Sequence, residues 1–185
     1  RVSLSREQRD TVSERLYFAY ANLEMTRRAQ REGALAYTRK HFIHRAKAYS
    51  QYQAGTRSPA SLVRDDTDKL RRGEICAYCG AAGRTTSDHI LPKSRGGPDV
   101  GDNIVRSCRK CNSRKGAKDI FEFYSLQADQ TFPPLFLVRT YLKLALLWSI
   151  ERGIMTTRLE ELDLATLPFR PDLIPGRFPL TNEPS

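Results

Sequence analysis

The chain has 185 residues, of which 39% are hydrophobic and 28% are charged, and its formal net charge is +10. This length predicts one domain, or one small domain with helical flanks, that can bury a hydrophobic core. No signal peptide opens the sequence and no apolar run reaches about twenty residues, so we expect a cytoplasmic protein and exclude a membrane-spanning helix.

The basic charge is unevenly distributed along the chain. Residues 1–72 contain 16 lysines and arginines against 8 acidic residues, and residues 73–119 contain 9 against 5. Residues 120–185 contain 6 against 8 and are slightly acidic. A positive excess suits a polyanionic partner, but alone it does not select DNA over RNA or a membrane surface. The first two segments are therefore the candidates for phosphate binding.

The amino-terminal segment has the pattern of helices. Ser5 and Gln8 form a capping box, and apolar residues then recur at helical spacing, which predicts a first helix over about residues 5–31. Gly33 would end it. The same spacing predicts a second helix over about residues 34–53.

A third, shorter helix is predicted from Pro59 to about Arg72, with proline at its first position. His41 and His44 lie three residues apart on the second predicted helix, a spacing that could bind a metal. No third ligand lies nearby in the sequence. We therefore favour ordinary structural roles for both histidines.

Four cysteines form two pairs, Cys76 with Cys79 and Cys108 with Cys111, which account for every cysteine of the chain. Each Cys-x-x-Cys pair can wrap a metal from a tight turn, and a closed structural Zn²⁺ site takes four ligands in a tetrahedron. A disulfide or a redox motif would also use paired thiols. Two pairs at this spacing favour zinc, and we predict one Zn²⁺ held by all four.

Two strands and a helix are predicted around the second cysteine pair. A first strand over about residues 85–91 leads into a loop rich in glycine, lysine and arginine. A second strand is predicted over about residues 103–107, and a helix follows over about residues 109–126. Asn112 and Lys115, one turn apart, would then lie on the same side of that helix.

Asp88, His89, Asn103 and Asn112 lie inside or beside the cysteine frame. Cleavage of a phosphodiester by water requires a base and neutralisation of developing charge. His89 suits the role of the base, since an unperturbed histidine side chain has a pKa of about 6.5. Asp88 and Asn112 would supply a carboxylate and an amide oxygen, a donor set suited to Mg²⁺ or Mn²⁺. Asn112 could instead cap a helix.

Four basic residues near this group are candidates for contacts with phosphate. Lys115 ranks first among them. The others are Lys93, Arg95 and Arg114.

The carboxyl-terminal flank begins with a helix of about 16 residues after Pro133 and Pro134, apolar on nearly all faces. We favour a core helix over a dimer interface for it. Thr157 and Glu160 form a capping box that predicts a short helix to about Ala165. The proline-rich tail after it should be extended, and it would either drape over the body or remain loose.

The run CAYCG…SDHILPKSRGG…DNIVRSCRKCNSRKG resembles the HNH nuclease motif in its zinc-knuckle form. The resemblance covers roughly residues 74–119. Asn112 falls on the third letter of the motif, which is often histidine in the family. The implied fold class is α+β, mainly helical, with a ββα-metal HNH core and a four-cysteine zinc knuckle, flanked by helices on both sides.

The resemblance implies a metal-dependent endonuclease that hydrolyses phosphodiester bonds in DNA, with structural Zn²⁺ and catalytic Mg²⁺ or Mn²⁺. It also implies that Asn103 holds the loop and thereby orients His89. The chain then divides into a basic helical flank (1–73), a nuclease module (74–127) and a helical flank with a proline-rich tail (128–185).

Two other functions stay open. The first is a catalytically silent zinc module that binds DNA, although the joint presence of Asp88, His89, Asn103 and Asn112 argues against it. The second is a nuclease subunit that works only within a larger complex, for example in a phage-defence or mobile-element system. The sequence does not separate this from a free enzyme or a homodimer.

Overall fold

The structure of the protein is a computed structural model that describes residues 10–59, 74–128 and 132–180. Helices are the main regular structure of the described part, beside one small antiparallel sheet, which confirms the predicted fold class. Its helices are α1 (Val12–Arg31), α2 (Arg39–Gln53), α3 (Arg109–Lys115), α4 (Ile120–Ser125) and α5 (Leu135–Glu151), and its strands are β1 (Thr85–His89) and β2 (Ile104–Cys108). The predicted helix beyond Pro59 and the capping box of Ser5 and Gln8 lie outside the described residues.

Both amino-terminal helices begin later than predicted, because polar side chains cap them at other positions. At α1, the Thr11 hydroxyl accepts the N–H of Glu14 at 3.3 Å, and the Glu14 carboxylate accepts the N–H of Thr11 at 3.0 Å. This helix therefore does not begin near residue 5. At α2, the Nδ1 atom of His41 accepts the N–H of Thr38 at 3.0 Å, so the helix starts after Thr38 and not at residue 34.

The single helix predicted over residues 109–126 is wrong, because the short helices α3 and α4 occupy this segment. Gly116 ends α3 with φ of 50° and ψ of −128°, a conformation outside the helical region. Asp119 then caps α4, since its carboxylate accepts the N–H of Phe121 at 2.7 Å. The break turns the chain out of α3 while keeping α3 against the sheet.

Asp119 also joins α4 to the carboxyl-terminal flank. Its other carboxylate oxygen accepts the Tyr141 hydroxyl of α5 at 2.5 Å and the N–H of Arg170 at 2.9 Å. The Asp119 side chain is fully buried, and burial raises its pKa to about 6, although these hydrogen bonds oppose the shift. A buried carboxylate thus links three segments that are distant in sequence.

α5 forms the centre of the hydrophobic core and packs against α1. The side chains of Leu137, Val138, Tyr141 and Leu142 are fully buried, which confirms the core interpretation of this helix. Within the described ranges, no helix is long and apolar enough to cross a membrane.

The short helix predicted from Thr157 to about Ala165 is wrong, since only the single 3-10 turn Leu159–Glu161 forms there. The Thr157 carbonyl accepts the N–H of Val12 at 3.1 Å, and the N–H of Leu159 donates to the Asp10 carbonyl at 2.7 Å. These backbone groups therefore pair with the segment before α1 and do not continue a helix.

The proline-rich tail drapes over the body as far as residue 180. Leu167, Phe169, Ile174 and Phe178 are buried along it, and the last three belong to the main hydrophobic core. The tail also reaches α1, because the Asn22 amide donates to the Gly176 carbonyl at 3.0 Å.

Candidate active site and metal centre

The candidate site is built on the hairpin of β1 and β2 and on α3. Asp88 lies opposite Val105 and His89 opposite Ile104 in this antiparallel pair. α3 follows β2 directly and packs against both strands. Successive side chains of a strand point to opposite faces. Asp88 therefore faces α3, whereas His89 faces the loop after β1.

The four cysteines cluster as their spacing predicts. Their sulfur atoms all lie within 4.8 Å of one another, and the Sγ atoms of Cys79 and Cys108 are 3.9 Å apart. Tetrahedral zinc with Zn–S bonds of about 2.3 Å places its sulfurs about 3.8 Å apart. The donor set and its spacing therefore suit one Zn²⁺.

Each cysteine pair is held by backbone geometry. The N–H of Cys76 donates to the Ala81 carbonyl at 2.9 Å, and Gly80 turns the chain with φ of 72°. Cys108 ends β2 and caps α3, because its sulfur accepts the N–H of Cys111 at 3.4 Å. Burial raises the pKa of the Cys108 thiol, but hydrogen bonds from Cys111 and the other thiols outweigh it and lower the pKa to about 7. A thiolate is the form that binds metal.

The Asp88 carboxylate is held from two sides. One oxygen, Oδ2, accepts the Tyr78 hydroxyl at 2.7 Å and lies 3.3 Å from the Lys115 ammonium. Tyr78 is itself anchored, since the Tyr124 hydroxyl donates to its carbonyl at 2.6 Å. The carboxylate is therefore fixed at the end of β1, and among the described residues no hydrogen bond or ion pair engages its second oxygen, Oδ1.

Lys115 is fully buried and points into this network. Its ammonium donates to the His89 carbonyl at 2.7 Å and faces the Asp88 carboxylate. Burial lowers the pKa of Lys115, and the Asp88 charge opposes that shift. The ammonium is out of reach of a bound nucleic acid, so the phosphate contact expected of Lys115 is replaced by an internal one.

The His89 ring contacts the loop after β1. Its Nε2 atom lies 3.0 Å from Oδ1 of Asp99, whose other oxygen accepts the Lys93 ammonium at 2.5 Å. Hydrogen bonds from Lys93 and then His89 lower the pKa of Asp99. The Asp99 carboxylate is thus placed to accept a hydrogen bond from an N–H at Nε2 of the imidazole.

Asn103 is fully buried and binds the loop through its amide. Its oxygen accepts the N–H of Leu91 at 2.8 Å, and its nitrogen donates to the carbonyls of Leu91 and Pro98 at 2.9 and 2.8 Å. Gly97 completes the turn, because a Cβ atom there would lie 2.2 Å from the Leu91 oxygen. These bonds hold the segment that carries Asp99 beside His89.

Asn112 lies inside α3 and bonds to β1. Its amide nitrogen donates to the Thr86 hydroxyl at 2.9 Å and to the Ser87 carbonyl at 3.3 Å. Because Cys108 caps the helix, the alternative that Asn112 acts as a helix cap is wrong. With the nitrogen engaged, the amide oxygen is the group that Asn112 can offer to a ligand.

The remaining basic residues differ in what they contact. The Arg95 guanidinium donates to the Ala165 and Leu164 carbonyls at 2.6 and 3.3 Å, so it binds the carboxyl-terminal flank. Lys93 is exposed beside Asp99, and exposed Arg114 contacts the Gln127 amide at 3.4 Å. Lys93 and Arg114 therefore retain surface positions that a phosphate can reach.

A second contact ties the same loop to α5. The indole N–H of Trp148 donates to the Gly96 carbonyl at 2.9 Å. Together with the Arg95 contacts, this bond fixes the loop between Asp88-His89 and β2 from outside the hairpin.

The sequence interpretation missed Asp99 and Tyr78 as partners of the two candidate catalytic side chains. Tyr78 lies within the first cysteine pair, so its position in the turn was a usable signal. Asp99 lies ten residues after His89 in an irregular loop, and only the folded turn brings the two together.

Residues 76–118 match a family model described as HNH endonuclease. The chain therefore contains an HNH endonuclease domain, and the clustered cysteines within it fit a zinc knuckle. Comparisons with curated proteins and with solved structures gave no match. Domain membership supports a nuclease or nucleic-acid-binding function.

Proposed function

We propose that the protein is a metal-dependent HNH endonuclease that hydrolyses phosphodiester bonds in DNA, with His89 as the general base. The observation that carries the proposal is the contact between His89 Nε2 and the Asp99 carboxylate. A carboxylate beside one ring nitrogen selects the tautomer in which that nitrogen bears the proton. The other nitrogen then has the lone pair that accepts a proton from water.

The neighbouring contacts support this role for His89. The Lys93 ammonium donates to the other oxygen of Asp99, and Asn103 holds the loop from which Asp99 reaches the ring. Lys115 binds the His89 carbonyl and so fixes the backbone of the residue. The imidazole is thus positioned from both its ring and its main chain, as a general base requires.

Asp88 and Asn112 would hold the catalytic Mg²⁺ or Mn²⁺. Both offer hard oxygen atoms, and each has its other polar atom engaged by protein groups, which leaves Oδ1 of each side chain as the ligand. Two protein oxygens suit an ion that keeps several waters and binds phosphate. When bound, the ion would neutralise charge on the phosphodiester.

The four cysteines would bind structural Zn²⁺ and take no part in the chemistry. We propose that residues 74–127 form the nuclease module, with 1–73 and 128–185 as flanks. Thiols kept free for zinc agree with a cytoplasmic location. The same site would serve a free enzyme, a homodimer or a subunit of a defence or mobile-element complex. Size-exclusion chromatography distinguishes a homodimer from a monomer, and cleavage by the purified chain alone would contradict a subunit that works only within a complex.

Incubation of the purified zinc-loaded protein with supercoiled plasmid and Mg²⁺ or Mn²⁺ tests the proposal. Nicked or linear product is expected, and His89→Ala should cleave at least about 100-fold more slowly, the usual contribution of a positioned base. DNA binding should be nearly unchanged, because the base acts in the chemical step.

His44→Ala is the matched control, since the side chains of His44 and His89 are equally exposed at 26%. It should cleave at the wild-type rate. Cleavage by His89→Ala at that rate would exclude His89 as the base, and a wild-type protein that binds DNA without cutting it would favour the silent module.

A further inference from the structure

The helix α2 has an unusual charge distribution. It contains four lysines and arginines and no acidic residue. No aspartate or glutamate occurs anywhere between Glu32 and Asp65. A helix that merely solubilises a surface usually mixes both signs of charge, because oppositely charged pairs one turn apart stabilise it. This helix lacks such pairs, so its charge is not explained by helix stability.

The fold uses one face of α2. His41, Ala48 and Tyr52 are buried there, and α2 packs along α1. Arg45 also belongs to the fold, since its guanidinium lies 4.8 Å from the centre of the Phe18 ring and donates to the Asn22 amide oxygen. These contacts explain the residues on the side of α2 that packs against the rest of the fold.

The opposite face carries cations that the fold does not use. Five exposed residues recur there at helical spacing. They are Arg39, Lys40, Ile43, Lys47 and Ser50. In the described parts of the chain, Arg39, Lys40 and Lys47 make no ion pair. By contrast, Arg28 binds Glu32 at 2.8 Å and Arg57 binds Glu24 at 2.7 Å.

We infer that this outward face of α2, defined by Arg39, Lys40 and Lys47, binds the phosphate backbone of DNA. The inference rests on the proposed function and adds a second contact surface outside the hairpin. Lys40 and Lys47 lie two turns apart, about 10 Å along the helix axis. Cations in such a row neutralise successive phosphates without reading bases, so the contact would add affinity and not sequence specificity.

The composition of the face favours DNA over a membrane surface. A helix that lies in a lipid interface needs a broad apolar face beside its charges. Here the only large apolar side chain between the cations is Ile43, which is 58% exposed. An acidic protein is the remaining class of polyanion, and DNA is favoured because the same chain carries an HNH domain.

Fluorescence anisotropy with a short DNA duplex over a series of salt concentrations tests the inference. The double variant Lys40→Gln/Lys47→Gln should bind about tenfold more weakly, and the slope of log affinity against log salt should fall by about 2, because two phosphate contacts are lost. Its thermal midpoint should match the wild type, since both side chains are exposed.

The double variant Arg152→Gln/Arg158→Gln is the control, because it removes the same charge from two exposed sites on the carboxyl-terminal flank. It should change affinity by less than about twofold. Equal losses in both variants would show an effect of net charge and overturn the inference, as would unchanged binding by the α2 variant, whether or not an acidic protein binds there.

The two proposals fail in different ways. A protein that cleaves DNA with wild-type salt dependence after the α2 changes overturns this inference and leaves the nuclease intact. A protein that loses affinity after those changes but never cleaves supports the DNA-binding face and contradicts the nuclease.

Discussion

Lys115→Met tests how the two candidate catalytic residues are held in place. The substitution keeps the length of the side chain and removes the ammonium from a fully buried site. Asp88 would lose its charge partner and keep only the Tyr78 hydroxyl, while the His89 carbonyl would lose its hydrogen bond from Lys115. Methionine fills the space without satisfying either group.

The magnitude follows from the burial of these groups. Breaking a buried ion pair from one side costs about 3–5 kcal/mol, and a buried carbonyl without a donor costs about 1–3 kcal/mol. Asp88 retains Tyr78 and its side chain is 11% exposed, which places the total at the lower end of the first range. We expect a loss of about 3 kcal/mol, or about 6–12 °C in the thermal midpoint for a chain of this size.

Urea unfolding of the zinc-loaded protein measures this loss. Lys110→Met is the control on the same helix, because Lys110 is exposed. It should change the free energy of unfolding by less than about 0.5 kcal/mol. The double variant Asp88→Asn/Lys115→Met should be more stable than Lys115→Met alone, since it no longer buries an unpaired charge. If Lys115→Met is as stable as Lys110→Met, the ammonium does not hold the network and the reasoning is refuted.

Three further outcomes are expected. Cys108→Ser should lower folded yield and the zinc content measured by metal analysis, because Cys108 both belongs to the sulfur cluster and caps α3; full zinc content would contradict the assignment. Asn112→His should shift activity from Mg²⁺ toward Ni²⁺ or Co²⁺ by adding a nitrogen ligand, while Asn112→Ala should lower activity with every metal at little change in stability; an unshifted metal profile would remove Asn112 from the ligands. Burial raises the pKa of Asp119 to about 6, so folding favours its protonated form, and this group should reduce the free energy of unfolding by about 3 kcal/mol as the pH rises from about 4 to about 6. Urea unfolding of wild type and Asp119→Asn should show this pH dependence as a difference between them, and parallel curves would exclude it.

Sequence patterns predicted the parts of the fold that depend on short-range chemistry. The cysteine spacing predicted the cluster, since a metal site needs its ligands in tight turns. The apolar residues after Pro134 predicted α5 and its burial, because a helix that is apolar all round has to be inside. Asn112 and Lys115 face β1 together, as their spacing of one turn indicated.

Two predictions were wrong at places where contacts between distant segments shape the structure: the single helix after Arg109 and the phosphate contact of Lys115. The segment after Arg109 contains local signals for a break, since Gly116 suits a helix end and Asp119 a helix cap. What the pattern does not reveal is that Tyr141 and Arg170 from distant segments bind the other oxygen of Asp119. Lys115 resembled a phosphate ligand in sequence, and only its contacts with Asp88 and His89 show that its charge is used internally. Because lysine is rarely buried, the residue type alone predicted a surface contact for Lys115 and not an internal one.

The contacts between the carboxyl-terminal flank and the loop after β1 have a consequence for protein engineering. The Gly96 carbonyl is held by Trp148 and the Arg95 guanidinium by the carbonyls of Leu164 and Ala165. A fragment cut to the boundaries of the matched motif would lose these anchors while keeping every cysteine and every candidate catalytic side chain. Grafting the motif onto another scaffold would therefore transfer the candidate catalytic residues without the contacts that keep Asp99 beside His89. A functional graft would have to include α5 and the tail that follows it.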